Sequence, residues 1–573
     1  MSWFLGYTGK INPVLNKYIS SLNLVHKDEI RANNLYVAYG GNENNLTIKS
    51  QSGSGWIVSG IPISSEAANF KFMRKDNWEQ LLSKMNFKLN NIDGHFAGIK
   101  WNDEEITFFN DRLGLRDIYF LKVDSNYFFS TRIDWIAKFN KENKINIDEF
   151  STNWLLTHKI SWKNLLEGVE QLGPQGMAFI KNYSLVIKNN PLLISPSRLN
   201  DRQSFIESLE KFVTLPLHEN KSLSLGLSGG LDSRLLIQIL LSQNSNNWQT
   251  HTFGSPENYD IKIAGQISSS CNIKNSQIDI LIPPKEKIIV AFYEYISQLG
   301  ISSIISDTLL YNSYLEIDKG YSFIIDGAYG EIFRRAFLVK LLLTGKEYIL
   351  NRDSLRFYEA LKSCKADIFN DDFTELLKQK AINKIDETLK IFPSPADVGI
   401  ENWLDNFLII TKVPGISSFS QTLLDSLCSA YMFFIQPSLL ESGLSLPVDL
   451  RANSKLYREL IRKGKNNLWR YPLVKDQIIY PYFLPTFYAR IFTKLKRKLG
   501  LTFNDETKYK ILYELKDFIW DKFNSMEVKN FSFYDSIKIE NIIKNYYMGR
   551  KNLADNLLWW LTFELWRESF NIK

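Results

Sequence analysis

At 573 residues the chain is too long for one ordinary domain, and its 45% apolar and 14% aromatic content is ample for more than one core. A net charge of +7 over that length is too slight to mark a nucleic-acid binder. No run reaches the roughly 20 apolar residues of a membrane span. Cys271, Cys364 and Cys428 are odd in number and far apart, which suits a reduced cytoplasmic interior and argues against a disulfide framework. The five histidines (His26, His95, His158, His218 and His251) show no metal-ligand spacing. The opening Met1 to Tyr7 lacks a basic segment followed by an apolar core, so no secretory signal is expected.

In chain order, the first 190 residues or so read as β. Short alternating runs at Asn34 to Tyr39, Phe96 to Trp101, Ile106 to Phe109 and Ile118 to Val123 are separated by Gly, Asn and Asp turns. Several strands without long helices predict stacked antiparallel sheets. Four segments follow in order: Ile92-Asp93-Gly94-His95-Phe96-Ala97-Gly98, then Asn110 to Tyr119, then Phe128-Phe129-Ser130-Thr131, then Leu166 to Gly176. Together they resemble the glutaminase half of asparagine synthetase, which implies an α+β sandwich of the Ntn-hydrolase kind. That family attacks glutamine with an N-terminal cysteine activated by its own α-amine. Here position 2 is Ser2 and the first cysteine is Cys271, so a vestigial, inactive glutaminase is expected. Asn189 to Ser197 carries two prolines among small polar residues and predicts a linker. The expected domains are therefore 1–195 and 196–573.

Beyond the linker, helix and strand alternate, which predicts an α/β core with a parallel sheet. Its centre is Ser224 to Arg234. Leu223, Leu225 and Leu227 have the period of a strand, and Leu235, Leu236, Ile239 and Leu240 that of a helix opening at Ser233. The glycine pair between them lets backbone amides approach an anion, and the following helix adds the positive end of its dipole. Asp232 can hold a magnesium ion on bound phosphates, and Ser233 can donate its hydroxyl. Neither GxxxxGK[ST] nor a GxGxxG after a strand is present. Ser228-Gly229-Gly230-Leu231-Asp232-Ser233 instead resembles the loop of ATP-pyrophosphatase-type synthetases, which leave AMP on a substrate carboxylate.

Further segments extend the resemblance to asparagine synthetase. His251-Thr252-Phe253-Gly254 closes a strand from Trp248, where the family holds adenine. A helix with Ile261, Ala264 and Ile267 on one face follows. The strand Tyr321 to Ile325 ends in Asp326-Gly327-Ala328-Tyr329-Gly330-Glu331, one residue shorter than the family's run, so Asp326 or Glu331 must supply the second magnesium ligand. Tyr329-Gly330-Glu331 is closer to the β-lactam synthetase form. There a tyrosine paired with a downstream glutamate, here Glu359, deprotonates the attacking amine. Residues 334 to about 445 read as helical, including Glu375 to Leu389. Gly443 to Pro447 is similar to the family's ALSLP segment. Lys475 stands six residues before Pro481, as the family's lysine does. Such a lysine stabilises charge as an amine attacks an acyl-adenylate. Lys494 to Lys498 is a short basic run, ordinarily a solvated helix face, with a role in holding an acidic peptide or a membrane surface as the alternative. Leu557 to Trp566 predicts an apolar helix docked on the synthetase core.

The resemblance implies a two-domain ligase using ATP and Mg2+, with nucleotide contacts from Leu227, Ser228, Gly229, Gly230, Asp232, Ser233, Phe253, Gly254 and Gly327, and a helical C-terminal extension. With no ammonia source of its own, it fits the β-lactam synthetases and the lasso-peptide cyclases, and the cyclases are favoured. A cyclase implies a ribosomal precursor peptide as substrate, with a leader peptidase and a leader-recognition protein as partners. The alternatives are an ammonia-dependent amide synthetase acting on a small acid, and a non-catalytic scaffold of the same fold.

Overall fold

A computed structural model describes residues 2–573 apart from 10–12, 23, 25, 26, 33, 52, 67, 68, 141, 195–201, 244, 319–322 and 501–505. The domain boundary expected near residue 195 and the strand start at Tyr321 lie outside the described residues.

The N-terminal part is a sandwich of two sheets. One has the order β11-β9-β10-β1-β3-β2: Val169–Gln171, Tyr119–Val123, Asn126–Ser130, Trp3–Thr8, Leu35–Gly40 and Lys27–Ala32. The other has the order β13-β12-β8-β7-β5-β4: Ser184–Lys188, Met177–Lys181, Ile106–Asn110, Ile92–Trp101, Ser54–Ser64 and Leu46–Gln51. The short strand β6, Lys71–Phe72, pairs with β5. The paired strands are antiparallel, and β3, β7, β8 and β9 fall on the four alternating apolar runs that the sequence predicts. Phe4, Val37, Phe120 and Phe129 from one sheet meet Ile57, Ile99 and Phe108 from the other in a shared core.

The second part is built on a parallel sheet of order β16-β15-β14-β17: Asn275–Ile278, Trp248–Phe253, Leu223–Gly226 and Phe323–Ile325. From β14 the chain winds outward to β15 and β16, then returns to place β17 on the other side of β14. The winding therefore reverses between β14 and β17, and ligands of open α/β sheets settle at the carboxyl edge of such a point.

The loop helix starts at Leu231 rather than at Ser233, running Leu231–Leu240 with Gly230 as its N-cap, so Asp232 and Ser233 belong to its first turn. The long helix Asp371–Ile391 contains the expected Glu375 to Leu389 run. Between the α-helices Ile400–Phe407 and Ser418–Leu427, ten residues, Leu408–Ser417, are wound as a π-helix, a rare form that is frequent at functional sites.

The C-terminal helix is Ala554–Ser569. Its docking is broader than the sequence predicts. Phe563 and Trp566 meet Phe150 of the N-terminal helix Ile147–Leu155 at 5.4 and 6.4 Å between ring centroids, and the same apolar cluster holds Trp3, Leu5 and Tyr7 of β1. A helix that is apolar around most of its circumference must be covered on more than one side.

A buried polar network also joins the two parts. Asp425, on helix Ser418–Leu427, pairs with His95 Nε2 of β7 at 2.8 Å and accepts from Arg116 Nη1 at 3.0 Å. Arg116 Nη2 donates to the Ser2 carbonyl at 2.8 Å and to Ser59 Oγ at 2.9 Å. Burial alone would raise the Asp425 pKa, but His95 and Arg116 outweigh it and hold the carboxyl below its ordinary value. A carboxyl depressed in the folded state stabilises above its unfolded pKa of about 4 and loses that contribution as pH falls through the folded value. Asp425→Asn is therefore expected to cost about 3 kcal/mol or more at pH 7, and the gap from wild type should close below pH about 4. Urea unfolding at both pH values checks this. A variant as stable as wild type at pH 7 would contradict it.

Candidate functional site

The turn after β14 is closed tightly by its own residues. Leu227 donates its N–H to the His251 carbonyl at 2.8 Å, and its carbonyl accepts from Thr252 Oγ1 at 2.8 Å, which ties the ends of β14 and β15 together. Ser233 Oγ receives the Ser228 N–H at 3.1 Å and lies 3.0 Å from Ser228 Oγ, and Ser228 Oγ in turn receives the Gly230 N–H at 3.2 Å. The Gly229 N–H donates to Asp260 Oδ1 at 2.8 Å. Asp260 lies in the first turn of helix Tyr259–Ser270, and its second oxygen accepts from Gln477 at 3.1 Å. A Cβ at Gly229 would stand 2.3 Å from Val474 Cγ2, so only glycine fits beneath the hairpin of β18, Leu473–Lys475, and β19, Ile478–Tyr480. Phe253 and Gly254 end β15 beside this turn. The Phe253 ring packs on Tyr314 at 4.9 Å, and Gly254 has φ +128°.

The loop after β17 lies against the first turn of the loop helix. A Cβ on Gly327 would approach Asp232 Cβ to 3.0 Å, and one on Gly330 would approach Asp232 Oδ1 to 2.3 Å. Asp326 sits beside Gly226 and accepts the Ala328 N–H at 2.8 Å, and burial raises its pKa. Tyr329 has φ +67°, a strained backbone for a bulky residue. Lys412 lies 5.9 Å from its ring centroid and donates to Glu331 at 3.1 Å. The π-helix thus presents its lysine to the loop that carries Tyr329 and Glu331.

Asp232 is clamped. Arg334 Nε donates to Oδ1 at 2.9 Å and Nη2 to Oδ2 at 2.7 Å, a bidentate ion pair. Burial raises the Asp232 pKa, Arg334 opposes this and nearby Glu331 adds to it. Burial would lower the Arg334 pKa, but Asp232 and Glu331 hold it well above its ordinary value. Lys475 is brought to the same place. Its side chain is exposed, yet partial burial of the ammonium lowers its pKa; Asp476 opposes this, and Arg490, Arg334 and Arg497 add to the lowering. Tyr457 and Arg458 complete the surroundings. The buried Tyr457 hydroxyl and the Nε and Nη1 of Arg458 have no hydrogen-bond partner among the described residues.

These observations test the fit of a nucleotide and a metal. The cations Arg334, Lys475, Arg458 and Arg490 gather near the amino end of the loop helix, and the orphaned donors of Tyr457 and Arg458 suit phosphate oxygens. The turn itself is less open than the sequence predicts, because the Ser228, Gly229 and Gly230 N–H groups already donate to Ser233, Asp260 and Ser228. For magnesium, Asp232 and Glu331 lie close enough to interact, but each already holds a cation, Arg334 and Lys412 respectively. Among the described residues no group of three or more His, Cys, Asp or Glu side chains is placed to hold a metal. Asp232 would have to leave Arg334 to take a magnesium ion, with phosphate oxygens and water as the remaining ligands.

Of the residues expected from the sequence, Leu227, Ser228, Gly229, Gly230, Asp232, Ser233, Gly327, Tyr329, Glu331 and Lys475 come together, with Phe253, Gly254 and Asp326 at the adjoining strand ends. Glu359 is exposed on helix Ser354–Leu361 beside Tyr358. Arg334, Lys412, Tyr457 and Arg458 were missed by the sequence reading. Only Arg334 had a local signal, three residues past Glu331.

In the N-terminal part, Ser2 is 1% exposed and its Oγ lies 2.8 Å from Ser59 Oγ, so the hydroxyl where a nucleophile was sought is sealed inside the polar network.

No protein-family model matches the chain, and no curated protein is similar to it. Solved structures give distant matches. Glutamine phosphoribosylpyrophosphate amidotransferase from B. subtilis, complexed with ADP and GMP, is 10% identical over 48% of this chain and 65% of that one, with a TM-score of 0.23. A structure described as the allosteric regulatory enzyme of purine biosynthesis is 11% identical over 48% of this chain and 65% of that one, with a TM-score of 0.22. U34-tRNA thiolase NcsA from Methanococcus maripaludis, with its 4Fe-4S cluster, is 13% identical over 36% of this chain and 78% of that one, with a TM-score of 0.18. The matches to the first two span less than two thirds of those proteins' length. TM-scores this low leave fold and chemistry to be argued from the chain's own residues.

Proposed function

We propose that the chain is an ATP-dependent amide ligase that adenylates a carboxylate, and that its substrate is a precursor peptide closed into a macrolactam, the reaction of a lasso-peptide cyclase. The observation that carries the ligase reading is the convergence of the Ser228–Ser233 turn, Asp232, Glu331, Arg334 and Lys475 at the switch point between β14 and β17. The cyclase reading rests on the resemblance to cyclases and on a glutaminase half with no thiol nucleophile.

The roles follow from chemistry. Hydroxide is a poor leaving group, so an Asp or Glu side-chain oxygen first attacks the α-phosphorus of ATP and pyrophosphate leaves. The peptide's N-terminal amine then attacks the acyl carbon, AMP leaves, and the amine's proton passes to a base. Leu227, Ser228, Gly229, Gly230 and Ser233 hold the phosphates, while Phe253, Gly254 and Gly327 hold the nucleoside. Asp232 with Glu331 or Asp326 would hold magnesium, which would neutralise phosphate charge. Arg334, released from Asp232, turns to the phosphates. Tyr329 takes the proton, and Lys475 stabilises the charge that develops on the acyl centre; Glu359, exposed on helix Ser354–Leu361, is left without a role. Amine and carboxylate on one molecule reach effective concentrations of about 10⁵ M or more, so no ammonia supply is needed.

The test is incubation with ATP, magnesium and the processed precursor peptide. The expected product is lighter by one water, blocked to N-terminal sequencing, with AMP and pyrophosphate formed in equal amounts. If labelled ammonium enters as a primary amide and no ring forms, the cyclase reading fails while the ligase reading stands.

Glutamine should not be hydrolysed. No cysteine precedes Cys271, and the Ser2 hydroxyl is buried against Ser59. Measured glutamate release should equal the blank; release that disappears in Ser2→Ala would contradict this.

A further inference from the structure

Helix Thr486–Lys498 is seated on the protein by Ala489, Thr493 and Lys496. The first two are buried, and Lys496 donates to the Ile479 carbonyl at 3.0 Å. Its outward face is not the polar one expected of a surface helix. Ile491, Leu495 and the following Leu499 are 45%, 56% and 72% exposed, with Tyr488 and Phe483 also exposed at its start. The spacing of 488, 491 and 495 sets three of these on one stripe, and the exposed Lys494 and Lys498 border it. From Thr486 to Lys498 there are five basic residues, Arg490, Lys494, Lys496, Arg497 and Lys498, and no acidic one.

We propose that this helix is a docking surface for an anionic lipid bilayer, lying in the plane of the membrane. Charge complementarity selects the partner: a helix wholly without acidic residues suits a negatively charged surface, where each nearby lysine or arginine adds to binding. The apolar stripe selects a bilayer over an acidic polymer, because large aliphatic side chains gain by entering the boundary between headgroups and acyl chains, while the lysine stems extend back to the phosphates. At about 1.5 Å per residue the helix is about 20 Å long, enough to lie on a surface and too short to cross one. The docking is also connected to the site. Lys496 holds β19, and Arg497 pairs with Asp476 at 3.0 Å, next to Lys475. A membrane-bound helix would therefore set the Lys475 hairpin close to the bilayer. The proposal does not depend on the reaction assigned above.

The experiment is co-sedimentation of the full-length protein with extruded vesicles, either pure phosphatidylcholine or phosphatidylcholine with about a third phosphatidylglycerol, at about 0.1 M and about 0.5 M salt. Expected is pelleting with the anionic vesicles at low salt, release at high salt, and none with neutral vesicles. Two double variants, Ile491→Ser with Leu495→Ser and Lys494→Gln with Lys498→Gln, should each cut the bound fraction at least about fivefold while unfolding at the wild-type temperature. All four side chains are exposed, so neither variant disturbs a core. No pelleting, equal pelleting with neutral vesicles, or pelleting unchanged in both variants would overturn the proposal.

Discussion

Asp232→Asn is expected to reduce ATP–pyrophosphate exchange by at least about a thousandfold, roughly 4 kcal/mol of transition-state stabilisation, with little change in unfolding temperature. The side chain keeps its shape and one oxygen acceptor for Arg334, so the first turn of the loop helix stays in place. What it loses is the negative charge that balances Arg334 in the present structure and that would hold magnesium on the phosphates. Alanine is the poorer choice, since it would also leave the Arg334 guanidinium without its partner. Exchange of radiolabelled pyrophosphate into ATP, with precursor peptide present, measures the loss. Exchange near the wild-type rate would remove Asp232 from the site.

Lys475→Met should separate the two half-reactions. Exchange should persist, because adenylation depends on the turn and on Asp232, while amide formation should slow by at least about a hundredfold, the scale of removing one group that stabilises an oxyanion, about 3 kcal/mol. Methionine keeps most of the length and apolar stem of the lysine. The lowered Lys475 pKa adds a second signature. The ammonium loses its proton at lower pH than a free lysine does, so the amide-forming step should fall off on the alkaline side while exchange does not. Equal losses in both half-reactions, or none in either, would contradict the role.

Much of this site was legible because its signals are local. The β14 alternation, the glycine pair and the helical spacing after it lie within eighteen residues, Leu223 to Leu240. The glycines at 327 and 330 could be found by motif, though their reason, the contact with Asp232, is tertiary. The helix start was misplaced by two residues because Gly230 caps it without any side-chain cap. Lys412 gave no signal: it lies 81 positions from Glu331 and reaches it through a π-helix that carries Pro414 and has no distinctive composition. Glu359 was chosen by sequence distance, which does not fix where an exposed helix face points. The tail helix was recognised by its apolar length, but which halves of the molecule cover it depends on contacts with Phe150 that no local pattern encodes.

Acyl-adenylate formation is tested most directly by following oxygen. When the peptide's side-chain carboxylate is labelled with heavy oxygen, attack on the α-phosphorus transfers one of its oxygens to AMP as the amide forms. Mass spectrometry should therefore find one labelled oxygen in each AMP released and one fewer in the product amide. Formation of ADP with labelled inorganic phosphate, or AMP free of label, would contradict the account.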